Sequence, residues 1–273
     1  IDLDEVTESE AQESEKLIHK ESALAYPQLT LGMIAIFVYV GVEVSTISNL
    51  PAFLEEHEGI PVSAIAPYVS LYWASLMIGR WTGAAGAFDI SSGRKRLLAL
   101  LLPYLAFGVY LAVNTIMGHD VSQFYQYVWL IAAMVLVLLA SRGNPARNLL
   151  YFAICGIIAL AVGMLTHGRV SAIAFTSVGL FCSTMWPCIF ALAITGLGRN
   201  TNQGSSLLIM MIMGGGIVSW IQGMVADTYG IQISFMVGVV CFLYLAFYAW
   251  RTGRLLRAQG IDLDKLAAGG SGH

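Results

Sequence analysis

Two ionisable side chains lie inside long apolar stretches of this sequence: Glu43 in "YVGVEVSTISNL" and Arg80 in "SLYWASLMIGRW". A charge at the centre of a hydrocarbon layer costs at least a few kcal/mol even on lenient scales, so each must be compensated. Glu43 lies roughly 21 Å along a helix that starts at Leu29 and runs about 39 Å, out of easy reach of either surface. At 100° per residue Tyr39, Glu43 and Thr46 share one helix face, with Asn49 flanking it. Such a stripe belongs against a bundle interior or a hydrated cavity. Its chemistry is a structural hydrogen bond to another helix, acceptance of ligand hydroxyls, or proton exchange. Arg80 lies about 10 Å from one end of its helix, a distance its stem largely covers. It therefore reads as a structural charge or a snorkelling one as readily as a ligand contact. The two backbones differ in depth by roughly 10 Å, which argues against a direct pair with Glu43.

Other residues could serve the same cavity. In "STMWPCIFALAI", Pro187 removes a backbone donor in mid-helix and frees a carbonyl on the preceding turn, as happens where helices line cavities. Trp186 beside it is either plain packing or a flat surface for a sugar ring. Gln222 both donates and accepts, which suits a polyhydroxylated ligand or an interhelical bond equally. Gly214, Gly215 and Gly216 permit a bend or a close helix approach, and Gly79, Gly83 and Gly86 have the small-residue spacing of tightly packed helices.

The elements that position these residues follow from composition. Of 273 residues, 57% are apolar and 11% charged, against about 25% charged in soluble domains. Apolar blocks near the twenty residues needed to cross a bilayer recur along the chain. We read an all-α, polytopic helical membrane protein with about eight spans: 29–54, 64–87, 97–116, 124–141, 148–166, 170–195, 203–226 and 231–250. The fourth is the shortest. With the N-terminus in the cytoplasm, Lys16, Lys20, Arg94, Lys95, Arg96, Arg142, Arg147, Arg199, Arg251, Arg254, Arg257 and Lys265 all fall inside. Arg169 alone falls outside, the asymmetry expected of a correct count. Both termini are then cytoplasmic.

Residues 1–28 are acidic and lack an apolar centre, so they read as a solvated tail or linker and not a signal peptide. The chain starts at Ile1 without Met, which suggests a processed product or the interior of a longer polypeptide. Residues 251–273 form a second cytoplasmic tail. Cys155, Cys182, Cys188 and Cys241 lack metal-ligand spacing and read as packing residues. His19, His57, His119, His167 and His273 lie outside the spans, so no base stands beside "GSSL" for serine chemistry. Glu43 is the only acid at membrane depth, which removes a paired-aspartate site. No metal cluster, nucleotide loop or cofactor motif is evident, no nucleic-acid partner is implied, and an enzyme is not expected.

Four segments together resemble a known family: "LTLGMIAIFVYVGVEVSTISNLPAFL" from Leu29, "SLYWASLMIGRWTGA" from Ser70, "STMWPCIFALAITGLGRNTNQGSSLLIMMIMGGGIV" from Ser183 and "GMVADTYGIQISFMV" from Gly223. They look like the C-terminal half of the fucose–glucose–galactose proton symporters of the major facilitator superfamily. Glu43, Tyr72, Trp73, Arg80, Pro187, Ser205 and Ser206 fall on that family's motifs. The resemblance implies a six-helix bundle forming one wall of a sugar cavity, in the bacterial inner membrane, working by proton symport with an N-terminal six-helix half absent here. It implies Glu43 as sugar-hydroxyl acceptor or proton site, Asn49, Tyr72 and Gln222 as further hydrogen-bonding groups, and Trp73 or Trp186 as a stacking face. Three departures accompany it. Eight spans exceed six, which suggests an inserted hairpin at 97–141. The loop "GAFDISSGRKR" spaces Asp89 and Gly93 one residue too far apart for the superfamily's loop motif. Ser219-Trp220 stands where the family often has proline after the glycines. A different class also fits: a non-transporting sugar sensor, a partner subunit or an inactive split-gene remnant.

Overall fold

The computed structural model of the chain describes residues 22–84 and 92–264, and side chains of 83, 84, 92–96, 98 and 99 are left aside. Residues 1–21, most of the loop containing Gly86 and Asp89, and residues 265–273 lie outside this description. The helices are α1 (Pro27–Ala52), α2 (Ala66–Ala84), α3 (Ser92–Ile116), α4 (Tyr127–Ser141), α5 (Pro145–Leu165) and α6 (Gly168–Cys182). They continue with α7 (Met185–Ile194), α8 (Thr201–Met210), α9 (Gly214–Tyr229), α10 (Ile231–Ser234) and α11 (Met236–Ala258). No strand occurs among the described residues. An all-helical chain is what lipid requires, because each backbone polar group must be satisfied within its own segment.

Among the described residues, seven helical segments are long and apolar enough to cross a membrane: Pro27–His57, Val62–Thr82, Ser122–Ser141, Pro145–Leu165, Gly168–Ile194, Gly198–Tyr229 and Ile231–Ala258. The expected span 97–116 falls on α3, whose Leu100–Ile116 is a shorter apolar helix; the basic run Arg94–Arg96 precedes it and Pro103 lies within it.

α1 is the central element and packs against α9, α11, α7, α6 and α8. α5 packs on α11, α6 and α7, and α2 on α6 and α3. α3 and α4 lie at the α2 side, α3 chiefly on α2 and α4 on α3, α5 and α6. One end of the bundle gathers the start of α1, the α4–α5 turn, the α7–α8 turn and the end of α11. There Gln28 Nε2 donates to the Thr195 carbonyl at 3.2 Å, and Tyr248 Oη to that of Gln28 at 3.3 Å. At the opposite end Tyr68 Oη donates to Gln123 Oε1 at 2.9 Å, and Gln232 Nε2 to the Met164 carbonyl at 2.7 Å.

Local chemistry sets the helix boundaries. Arg142 adopts a left-handed conformation (φ 52°) and Gly143 follows (φ 74°), reversing the chain in a tight turn. Asn144 then caps α5, its Oδ1 accepting from the amides of Ala146 at 3.0 Å and Arg147 at 3.2 Å, with Pro145 in the first turn. That arrangement satisfies amides with no partner in the helix. Asn144 Nδ2 donates in turn to Asp264 Oδ1 at 2.7 Å, and Arg147 Nη2 reaches Asp264 Oδ2 at 2.6 Å. The last described turn of the chain is thereby tied to the α4–α5 corner.

Glycine decides how closely two of these helices meet. A Cβ on Gly214 would lie 2.0 Å from the Phe37 carbonyl oxygen, so α9 and α1 are in backbone contact there. Gly216 faces open space and carries no packing role, which corrects its inclusion in the glycine contact. A Cβ on Gly79 would lie 1.7 Å from Ser183 Oγ, which seats α2 against the α6–α7 junction.

Gly214→Ala should therefore lower thermal stability in detergent by about 1–3 kcal/mol, the range for overpacking, while Gly216→Ala leaves it unchanged or slightly raised. Equal melting temperatures for the two variants would contradict the helix contact. The Asn144 amide, with the Arg147 guanidinium adding, holds the Asp264 carboxyl below the usual carboxylate range. A lowered carboxylate pKa contributes stability above the unfolded value and loses it as pH falls through the folded value. Hydrogen-exchange protection of residues 259–264 should thus persist down to about pH 4 and fall below it. In Asp264→Asn that acid step should vanish; an unchanged pH profile would refute the latch.

Candidate functional site

Glu43 sits on α1 one turn after Tyr39, and the Tyr39 hydroxyl donates to its Oε2. Arg80, from α2, brings Nη2 to 3.4 Å of the same oxygen. Tyr72, also from α2, donates its hydroxyl to the Glu43 backbone carbonyl at 2.8 Å. The Glu43 side chain is 12% exposed and that of Arg80 49%. Among the described residues no hydrogen bond uses Glu43 Oε1. The carboxylate is therefore compensated on one oxygen and open on the other.

The ion pair corrects the expectation that Glu43 and Arg80 stand too far apart in depth. That argument compared backbones, whereas a long arginine stem closes a depth gap between adjacent helices. The pair also explains why a glutamate is tolerated at membrane depth: the charge is matched within the bundle.

A cavity of about 530 Å³ opens in front of the carboxylate, lined by Tyr39, Val40, Glu43, Arg80, Trp186, Pro187 and Ile212. Two broken helices complete its wall. Between α6 (ending Cys182) and α7 (starting Met185) the α-helix gives way to a two-residue turn at Ser183–Thr184, and Pro187 lies within the first turn after that break. This is the interruption foreseen from Pro187, since proline deprives the preceding turn of a donor. A second interruption, a 3-10 turn at Met211–Met213, separates α8 from α9 immediately before the glycines and carries Ile212. Trp186 approaches Tyr39 with ring centroids 6.1 Å apart and planes at 60°.

Of the residues singled out from sequence, the fold brings Glu43, Trp186, Arg80 and Pro187 to this cavity. It sends the others elsewhere. Tyr72 is fully buried and braces α1 through the backbone carbonyl. Trp73 stands edge-on to Tyr72, with centroids 6.0 Å apart, is 47% exposed, and does not line this cavity. Asn49 returns its amide to the Ser45 carbonyl at 2.8 Å. Gln222 is fully buried, and its Nε2 faces Ser234 Oγ at 3.3 Å. Thr46 is fully buried with its Oγ1 unpartnered. Tyr39, placed on the Glu43 face from sequence but given no role of its own there, is the donor to the carboxylate and also lines the cavity. Val40 and Ile212 carry no polar mark and were not legible. The four cysteines are free, as packing residues would be. The fold also brings His167 to the adjacent pair His57 and Glu58, with one ligand atom of each within 4.8 Å of the others.

No family model matches the chain. A solved structure of the major facilitator superfamily transporter FucP, in the outward conformation, superimposes with a TM-score of 0.60 at 23% identity, covering 87% of this chain and 46% of that one. The fold is that of the major facilitator superfamily. Within it, a glucose/galactose transporter of Brucella abortus is 33% identical over 246 residues, covering 89% of this chain and 46% of the relative. A putative glucose/galactose transporter of Helicobacter pylori is 27% identical over 243 residues, covering 87% and 47%. The L-fucose-proton symporter of Escherichia coli is 35% identical over 112 residues, covering 41% and 26%. The chain spans about half the length of the curated relatives it matches over most of its length. Its relatives are transporters and not enzymes.

If Glu43 and Arg80 compensate each other, Glu43→Gln and Arg80→Gln should each destabilise the bundle, and the double variant by less than the sum. The coupling should be about 0.5–1 kcal/mol, small because Arg80 is half exposed. Strict additivity in thermal unfolding would deny the pair.

Proposed function

We propose that this chain is the C-terminal half of a proton-coupled transporter that imports a hexose or deoxyhexose by alternating access. Its six-helix bundle (α1, α2, α5, α6–α7, α8–α9 and α10–α11) forms one wall of the sugar cavity, with α3–α4 as an inserted hairpin. The other wall is an N-terminal six-helix half, and one bundle rocks against the other across the bound sugar. The protein lies in the bacterial inner membrane with both termini cytoplasmic, as the distribution of Lys and Arg argues. The observation that carries this reading is Glu43: a carboxylate held on one oxygen by Tyr39 and Arg80, with the other free, at a cavity between two broken helices.

The roles follow from the chemistry of the lining. Glu43 Oε1 accepts a sugar hydroxyl, and its carboxylate is a candidate site for the transported proton. Protonation would remove the charge that attracts Arg80 and leave the guanidinium to the cavity, so proton and sugar would compete or cooperate at one pair of side chains. Trp186 supplies a flat apolar face of the kind that packs on the C–H side of a sugar ring. Tyr39 sets the rotamer of Glu43 by holding Oε2. The names of the relatives support a sugar as substrate, and the mixed polar and apolar lining suits a molecule with hydroxyls on its edges and C–H groups on its faces.

In the complete transporter, Glu43→Gln should reduce sugar uptake about tenfold or more, equivalent to ~1.4 kcal/mol, while the variant, though modestly destabilised, still expresses and folds. Trp186→Phe should retain more uptake than Trp186→Ala. Wild-type uptake and pH dependence in Glu43→Gln would remove Glu43 from the mechanism. A panel of sugars and non-sugar solutes in proteoliposomes, read by substrate-driven alkalinisation, tests substrate class and proton coupling together.

A further inference from the structure

His57, Glu58 and His167 converge at the end of the bundle remote from the Asn144–Asp264 latch. His57 closes a π-helical turn, Phe53–His57, that extends α1 after Pro51. Its ring stacks on Phe53, with centroids 5.1 Å apart at 23°, and on its other side against His167 at 5.7 Å and 29°. His167 precedes α6 at the cap position, yet its side chain makes no capping bond. Glu58 takes that task from across the turn: its Oε2 accepts from the Gly168 amide. Its other oxygen, Oε1, is buried and without a partner. Two imidazoles and a fixed carboxylate thus face one point, with one ligand atom from each within 4.8 Å of the others.

We propose that these three side chains form a transition-metal site, taking Zn²⁺ or a similar borderline cation, that staples the end of α1 to the start of α6. The donor set supports this choice. Two imidazole nitrogens and one carboxylate suit Zn²⁺, with water in the fourth tetrahedral position, whereas Mg²⁺ and Ca²⁺ prefer all-oxygen shells. Zn–N and Zn–O bonds of about 2.0–2.2 Å place tetrahedral ligands closer together than 4.8 Å. The exposed imidazoles of His57 and His167 can turn to close that gap, while Glu58 is anchored by Gly168. A cation would also satisfy the buried Glu58 Oε1, an atom the protein leaves bare. The π turn is what aims His57 and Glu58 at the α5–α6 loop, and such turns often mark functional sites. The staple does not depend on the transport reading, although α1 carries Glu43 and α6 leads to the Trp186 break. A bound metal would restrain both walls of the cavity from one end.

The test is a Zn²⁺ titration of the full chain purified in detergent and stripped with EDTA, read by calorimetry and thermal shift. One saturable Zn²⁺ should bind per chain, raise the melting temperature, and be reversed by EDTA, with Mg²⁺ inert. His57→Ala and His167→Ala should each weaken binding at least about tenfold, in line with loss of a direct ligand, while His119→Ala leaves it unchanged. Cobalt substitution of the wild type gives a second reading independent of variants: a strong visible absorption of tetrahedral Co²⁺. No saturable Zn²⁺ binding, binding that survives His167→Ala, or an octahedral Co²⁺ spectrum would each overturn the site.

Discussion

A carboxylate cannot stay charged in hydrocarbon without a partner, and the arrangement around Glu43 answers that constraint. Arg80 supplies the opposite charge from a neighbouring helix, and Tyr39 supplies a hydrogen bond from the preceding turn. Tyr72 fixes the backbone at the same residue, so α1 and α2 are joined through both the side chain and the main chain of Glu43. Neither joint works unless α2 lies close to the rest of the bundle. Gly79 permits that by removing the side chain that would collide with Ser183. Compensation of one charge thus depends on a glycine one residue from the arginine that provides it.

The cavity in front of Glu43 exists because two helices do not continue. A regular helix satisfies its own backbone and offers a ligand only side chains; an interrupted one exposes backbone and changes direction. Pro187 enforces one interruption chemically, by lacking an N–H. The other, at Met211–Met213, precedes the glycines, where Gly214 lets α9 touch the α1 backbone beside Phe37. Both interrupted segments pack on α1, and an apolar residue, Ile212, lines the same space as the charged pair. Arg80 and Pro187, both in the lining of this cavity, are themselves exposed.

The two ends of the bundle are built differently. The end holding Asn144 and Asp264 is closed by a capped helix, a left-handed turn and an ion pair, all short-range chemistry. The other is organised around aromatic stacking and histidine, with Phe53, His57 and His167 in a row.

The sequence alone determined the helical membrane class, because length and apolarity of a segment decide whether it can cross a bilayer, and these are local properties. It also marked the break at Pro187 and the polar spacing of Tyr39 and Glu43, which depend on one residue or one helical turn. It did not determine which way Gln222, Asn49, Tyr72 and Trp73 turn, since helix rotation is set by the neighbours a helix meets. The Glu43–Arg80 pair was argued against from depth, and only the packing of α1 on α2 supplied the reach. The gathering of His57, Glu58 and His167 was equally invisible, because segments more than a hundred residues apart meet only when the bundle closes. Periodicity fixes what each helix is; side-chain volume at the contacts, down to the missing Cβ of Gly79 and Gly214, fixes what it faces.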